Sequence, residues 1–185
     1  ADIFPDLAAI QRQFHHLVRC VPGEGMVIHP QGQAAVDDVL AMGCWTPAQS
    51  FTLDGEADWS ATLLAPDASR FAVRDPAGST AEVAWGFLGR HNVENALAAL
   101  AAARHVGVPL QQGAAALAGF RGVKRRLEWL GEVGGVTVYD DFAHHPTAIA
   151  TTLQGLRANA VGRVIAVVEP RSNTMRIGQH RLALQ

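Results

Sequence analysis

Cysteine is scarce in this 185-residue chain, which has only Cys20 and Cys44. Two thiols without CxxC spacing leave no disulfide framework, redox pair or zinc knuckle to build, and they fit reduced thiols in a cytosolic protein. An excess of charge is also lacking: 15 Lys and Arg against 17 Asp and Glu leave a net charge of −2. No electrostatic case therefore exists for binding nucleic acid or an anionic membrane surface. No apolar run approaches the roughly 20 residues that a bilayer-crossing helix needs. The opening residues carry neither the basic nor the apolar segment of a secretory signal. The phosphate-cradling pattern G-x-x-x-x-G-K-[ST] occurs nowhere, and Gly119, Gly122 and Lys124 only approximate it. No Ser-His-Asp or Cys-His set with a spacing signal can be assembled. An initiating methionine is missing and the final GQHRLALQ stops inside an expected helix, so the chain reads as a piece of a longer protein.

What is present is a hydrophobic fraction of 49% with 17% charged residues, enough for a buried core. Leu7, Ile10, Phe14, Leu17 and Val18 recur at helical spacing behind Pro5 and Asp6, predicting a helix to about Arg19. MVIHP reads as a strand, and a second helix runs from about Gln33 to a C′ glycine at Gly43. From Ser50 to Phe87, four short segments alternate with turn chemistry and predict antiparallel strands. An Ala-rich helix follows, capped by Asn92 and stopped by Gly107 and Pro109, then a shorter one over about 110–117. LEWLGEV and VTVYDD flank a Gly-Gly turn, Pro146 opens a helix, and RVIAVVE reads as a buried strand. Strand, helix and buried strand form a βαβ unit, which implies an α/β fold with a parallel sheet. A domain boundary is expected near Gly119 to Gly122.

Four polar clusters could carry chemistry. In YDDFAHHPT, Asp141 stands at the carboxyl end of a strand, with His144 and His145 where the next helix begins. Ligands of open α/β sheets bind in that crevice, and helix N-termini favour phosphate. The plainer reading is that His145 or Thr147 caps the helix. Adjacent histidines point apart, which disfavours zinc ligation by both. In GRHNVEN, Asn92 and Asn95 are either a cap and its neighbour one turn on, or amides that face a heterocycle beside His91. Lys124, Arg125 and Arg126 form either a solvated basic face or a phosphate clamp. Arg171, Ser172 and Asn173 make a polar loop after the last apolar run.

The order GRHNVENALAA, FRGVKRRLE, YDDFAHHPTAI, EPRSNTM resembles the Mur ligase family of peptidoglycan amino-acid and peptide ligases. The resemblance implies the last part of a central ATPase domain at 1–119, followed by the start of a Rossmann-like C-terminal domain at 120–185. It implies ATP and Mg²⁺ as cofactors, and a P-loop and most metal ligands outside this chain, with no metal ligand assigned within it. Asn92 and Asn95, with His91 beside them, match adenine-facing positions. Arg126 matches an arginine that reaches the phosphates, and Asp141 an aspartate on the ATP ribose. His144 and His145 match a pair near the reacting carboxyl and incoming amine. At EPRSNTM the alanine-adding members carry a more basic loop, so Arg171, Ser172 and Asn173 imply a different amine. The implied reaction joins the tripeptide L-Ala-γ-D-Glu-meso-diaminopimelate to UDP-N-acetylmuramate through an acyl phosphate, in the cytoplasm, with the isolated piece inactive. Addition of L-alanine alone, or metal-dependent hydrolysis by Asp140, Asp141, His144 and His145, are the alternatives.

Overall fold

The computed structural model describes residues 3–53 and 55–169. Helix α1 (Leu7–Cys20) starts where Asp6 accepts the Ala9 amide at 2.7 Å, so a side-chain oxygen satisfies one of the unpaired first-turn donors. Strand β1 (Val27–Pro30), helix α2 (Ala34–Ala41) and strand β2 (Ala48–Leu53) follow, with β1 and β2 parallel. Among the described residues the parallel βαβ unit is therefore this one. α2 closes at Gly43, whose φ of +130° suits a residue without Cβ.

Strands β3 (Trp59–Leu63), β4 (Arg70–Arg74) and β5 (Thr80–Ala84) complete a sheet of order β1-β2-β3-β4-β5. The β3/β4 and β4/β5 pairs are antiparallel, as the turn signals predict, but β2 and β3 are parallel. Parallel neighbours ordinarily need a long crossover. Here only Phe51↔Trp59, Thr52↔Ser60 and Leu53↔Ala61 pair, so the chain steps back just far enough to begin again. Asp58 anchors that return by accepting Ser50 N–H at 2.7 Å and the Ser50 hydroxyl at 3.0 Å.

Helices α3 (Arg90–His105) and α4 (Leu110–Ala118) lie against this sheet. Val93, Ala96, Leu97, Leu100 and Ala101 fall on one stripe of α3 and meet Trp59, Phe71, Val73 and Val83 in the buried core. Beyond them, β6 (Glu128–Val133) and β7 (Val136–Asp140) form an antiparallel hairpin, followed by α5 (Pro146–Asn159). Gly134 and Gly135 both have positive φ, the requirement of a tight two-residue turn.

The expected buried strand RVIAVVE is not one. Residues 163–169 hold no regular structure, and Ile165 and Val167 are 70% and 96% exposed. Apolar content says that a segment favours burial, but a strand exists only through hydrogen bonds to another strand. β7 pairs with β6 alone among the described residues, so the second βαβ unit does not form.

Candidate functional site

The first turn of α3 is built differently from the expectation. Its N-cap is Gly89, at φ +90°, which makes Arg90 the first helical residue and moves Asn92 inside the helix. A Cβ at Gly89 would stand 2.9 Å from the His91 ring, so glycine is needed both for the backbone and for the space. Asn92, freed from capping, donates its amide N–H to the Leu88 carbonyl at 2.8 Å. Its side-chain oxygen has no hydrogen bond among the described residues. Asn95 is exposed one turn on, on the same helix face.

His91 is half-buried, and its Nδ1 is shielded from solvent with no hydrogen-bond partner among the described residues. Burial pushes the imidazole below its ordinary value of 6.5; the carboxylates of Glu94 and Asp141 pull the other way, and the Arg126 guanidinium adds to the lowering. Thus His91 of α3 lies within electrostatic reach of Asp141 and Arg126, which belong to the hairpin side of the molecule.

Asp141 follows β7 directly, and both its oxygens are engaged by backbone. Leu127 N–H donates to Oδ2 at 2.7 Å and Ala143 N–H to Oδ1 at 2.6 Å. A carboxylate has about four acceptor positions, so room for further donors remains. Neighbouring Asp140 pairs with Arg125 at 3.3 Å. His144 Nδ1 lies 3.0 Å from the Phe142 carbonyl; a carbonyl only accepts, so Nδ1 carries a proton and Nε2 is the ring's other edge. His145 is the N-cap of α5, its Nδ1 accepting from Thr147 N–H at 3.3 Å, so its neutral ring carries the proton on Nε2. The capping alternative for His145 is thus met. Among the described residues no three His, Cys, Asp or Glu side chains are grouped to hold a metal, and Asp140, Asp141, His144 and His145 each bond elsewhere.

A cavity of about 420 Å³ opens between the sheet domain and the hairpin. Its walls include Trp85 and Phe87 on one side, Trp129 and Tyr139 on the other, and the polar groups of Asp67 and Asn92. Of the expected residues only Asn92 lines it; His91, Asn95, Arg126 and Asp141 lie outside its lining. The aromatic walls escaped the sequence reading, although their spacing held a signal. Trp85 and Phe87 alternate with period two, and Trp129 and Tyr139 face each other across a predicted hairpin register. Phe71, Trp85, Phe87 and Phe120 continue as a chain of ring contacts, with centroids 5.0, 5.2 and 5.5 Å apart, from the core into the junction. Arg171, Ser172 and Asn173 lie outside the described residues.

The Mur ligase middle domain matches residues 1–103 of this chain, and the Mur ligase glutamate ligase domain matches residues 125–178. The chain belongs to the Mur ligase family. It is 50% identical over 183 residues to the UDP-N-acetylmuramate–L-alanyl-γ-D-glutamyl-meso-2,6-diaminoheptandioate ligase of Haemophilus influenzae, covering 98% of this chain and 40% of that protein. Identity to the UDP-N-acetylmuramate–L-alanine ligase of a Bradyrhizobium species is 38% over 185 residues, covering 94% of this chain and 39% of that one. Among solved structures, the murein peptide ligase of Psychrobacter arcticus aligns with a TM-score of 0.72 at 47% identity, over 98% of this chain and 38% of the other. The chain spans about 40% of the length of the curated relatives it matches. In Mur ligase terms, His91 and the Asn92/Asn95 pair belong to the middle-domain match, and Arg126, Asp141, His144 and His145 to the other. No helix among the described residues is long and apolar enough to cross a membrane.

Proposed function

We propose that this chain is the cleft-forming part of a cytoplasmic Mur ligase that couples ATP cleavage to joining UDP-N-acetylmuramate with the tripeptide L-Ala-γ-D-Glu-meso-diaminopimelate through an acyl phosphate. What supports the reading is the cavity between the sheet and the hairpin, which Asn92 of α3 and Leu127, Trp129 and Tyr139 of the hairpin side line together, with Asp141 tied by hydrogen bond to Leu127 at its edge. Residues 1–119 are assigned to the central domain and 120–185 to the C-terminal one. The amine substrate follows from the Haemophilus relative, named for the same tripeptide at 50% identity. Arg171, Ser172 and Asn173 are assigned to that amine.

ATP, the phosphoryl donor, fits the groups present. His91 Nδ1 and the Asn92 oxygen, without hydrogen-bond partners among the described residues, and the aromatic cavity that Asn92 lines suit a heterocycle, and Arg126 suits a phosphate. Asn95 shares that face of α3, and Asp141 keeps acceptor capacity for a ribose hydroxyl. His144 and His145 are assigned to the reacting carboxyl and amine, His144 Nε2 as proton acceptor and His145 Nε2–H as donor. The residues described do not fit Mg²⁺, whose ligands are assigned to other parts of the protein. Such a division makes closure of one domain on the other depend on nucleotide.

ADP formation by the full-length enzyme decides this. Turnover with UDP-N-acetylmuramate and the tripeptide is expected to exceed that with L-alanine; the reverse preference makes it the alanine ligase, and no turnover with either amine removes the ligase reading.

A further inference from the structure

Arg126 is the guanidinium that the proposed function aims at phosphate, yet no hydrogen bond or ion pair to any described residue holds its side chain. What the structure fixes is the backbone that carries it, and with it the direction in which the side chain leaves the chain. That backbone is unusual: Arg125 and Leu127, on either side, have φ of +60° and +50°, left-handed conformations that residues with a Cβ adopt at a cost. Strain of this kind persists only where the surroundings over-determine it, and here they do. Arg125 N–H donates to Glu128 Oε2 at 2.8 Å, Leu127 N–H to Asp141 at 2.7 Å, and Phe142 N–H to the Arg125 carbonyl at 2.9 Å. The Arg125 side chain adds two contacts to the same end of β7. It pairs with Asp140 at 3.3 Å and sits 4.9 Å from the centre of the Phe142 ring.

We propose that Arg125 is a positioning residue: by clamping onto Asp140 and Phe142 it holds the strained 125–127 turn against the end of β7, and so sets the direction from which Arg126 meets the nucleotide phosphates. Asp140 thereby acquires a role beside that of Asp141. Asp141 holds the turn by its Leu127 amide, and Asp140 holds it by the Arg125 side chain. The inference rests on the ATP-dependent reading of the cleft.

The test uses the full-length enzyme with MgATP, UDP-N-acetylmuramate and tripeptide. R125G keeps the left-handed turn accessible without a Cβ, so its folding is not at risk, and D140N breaks the same ion pair from the other side. Each is expected to raise the KM for ATP about three- to fivefold, the range of a partly exposed ion pair, while the melting temperature of R125G stays at or above that of the parent. R125G/D140N should be no worse than either single variant, and R125G added to R126A should change the KM no further. D140E, which can remake the pair, should return the KM toward the parent value. A KM raised by R125G as strongly in R126A as in the parent overturns the proposal, because Arg125 then acts without Arg126. An unchanged KM in both R125G and D140N overturns it equally. If the unsubstituted enzyme binds no ATP, the functional reading falls first and takes this one with it.

Discussion

Gly155 of α5 rests directly on Gly89, the N-cap of α3: a Cβ built on Gly155 would lie 3.2 Å from Gly89 Cα and 3.3 Å from its nitrogen. This is where the hairpin–helix unit touches the sheet domain next to His91. Two opposing effects decide the outcome of Gly155→Ala. Helix propensity favours alanine by about 1 kcal/mol, whereas overpacking costs about 1–3 kcal/mol. The atoms met are backbone and cannot swing aside, so overpacking should win. G155A is expected to lower the urea midpoint of the full-length protein and to raise the KM for ATP; a raised midpoint would mean that the two helices do not meet as described.

Asp141 holds backbone as well as the ribose hydroxyl proposed for it. Its two oxygens take the Leu127 and Ala143 amides, and hydrogen bonds to charged groups contribute about 1.5–3 kcal/mol each before solvent exposure weakens them. Asp141→Ala removes both. Asp141→Asn keeps one acceptor but turns an NH₂ donor toward an N–H donor, so it should not be the mild change it is at a solvated aspartate. Both variants are expected to lose about 1–3 kcal/mol of stability and to bind ATP more weakly by calorimetric titration. D141N with parental stability would show that the two amides do not depend on the charge.

Local chemistry was legible where one short stretch decides the outcome. The helix start behind Asp6, the Gly43 and Gly107 helix ends and the Gly134–Gly135 turn all stand where their residue types require. The misreadings arise where a distant partner decides. Asn92 looks like a cap until Gly89, packed beneath the His91 ring, starts the helix earlier. The parallel pairing of β2 with β3 depends on the Asp58–Ser50 hydrogen bonds, which no turn signal reveals. RVIAVVE carries the composition of a buried strand, but pairing needs a neighbour strand. The site followed the same rule. Of the polar residues that the sequence proposes, only Asn92 lines the cavity, and the aromatic walls from Trp85 and Trp129 meet only after the two units pack.

His91 predicts the acid sensitivity of this junction. Burial holds its folded-state pKa below the ordinary 6.5, so under acid conditions the unfolded chain binds the proton first. Stability attributable to this group is whole above 6.5 and is lost as pH falls from there through the lowered folded value. His91→Gln cannot titrate. Its denaturation midpoint should therefore fall less steeply than that of the parent as the pH is lowered from neutrality, when the two profiles are subtracted. Parallel profiles would place His91 in a solvated setting.

His145 separates capping from chemistry, because one substitution moves the two in opposite directions. Its Nδ1 caps α5 at 3.3 Å from Thr147 N, a long contact for a helix whose first turn carries no acidic residue. Asparagine is among the best N-cap residues, and its oxygen reaches the same amide from a shorter side chain. Its amide NH₂ can still donate a hydrogen bond but cannot release or take up a proton as the imidazole assigned to the reacting groups can. H145N is therefore expected to keep or raise the melting temperature while lowering kcat for ADP formation at least tenfold, within the range of a lost acid–base group. H144N should lower kcat without the gain in stability, since His144 donates to the Phe142 carbonyl and caps nothing. Retention of kcat in H145N together with higher stability would reduce His145 to a helix cap, leaving His144 as the histidine at the reacting carboxyl.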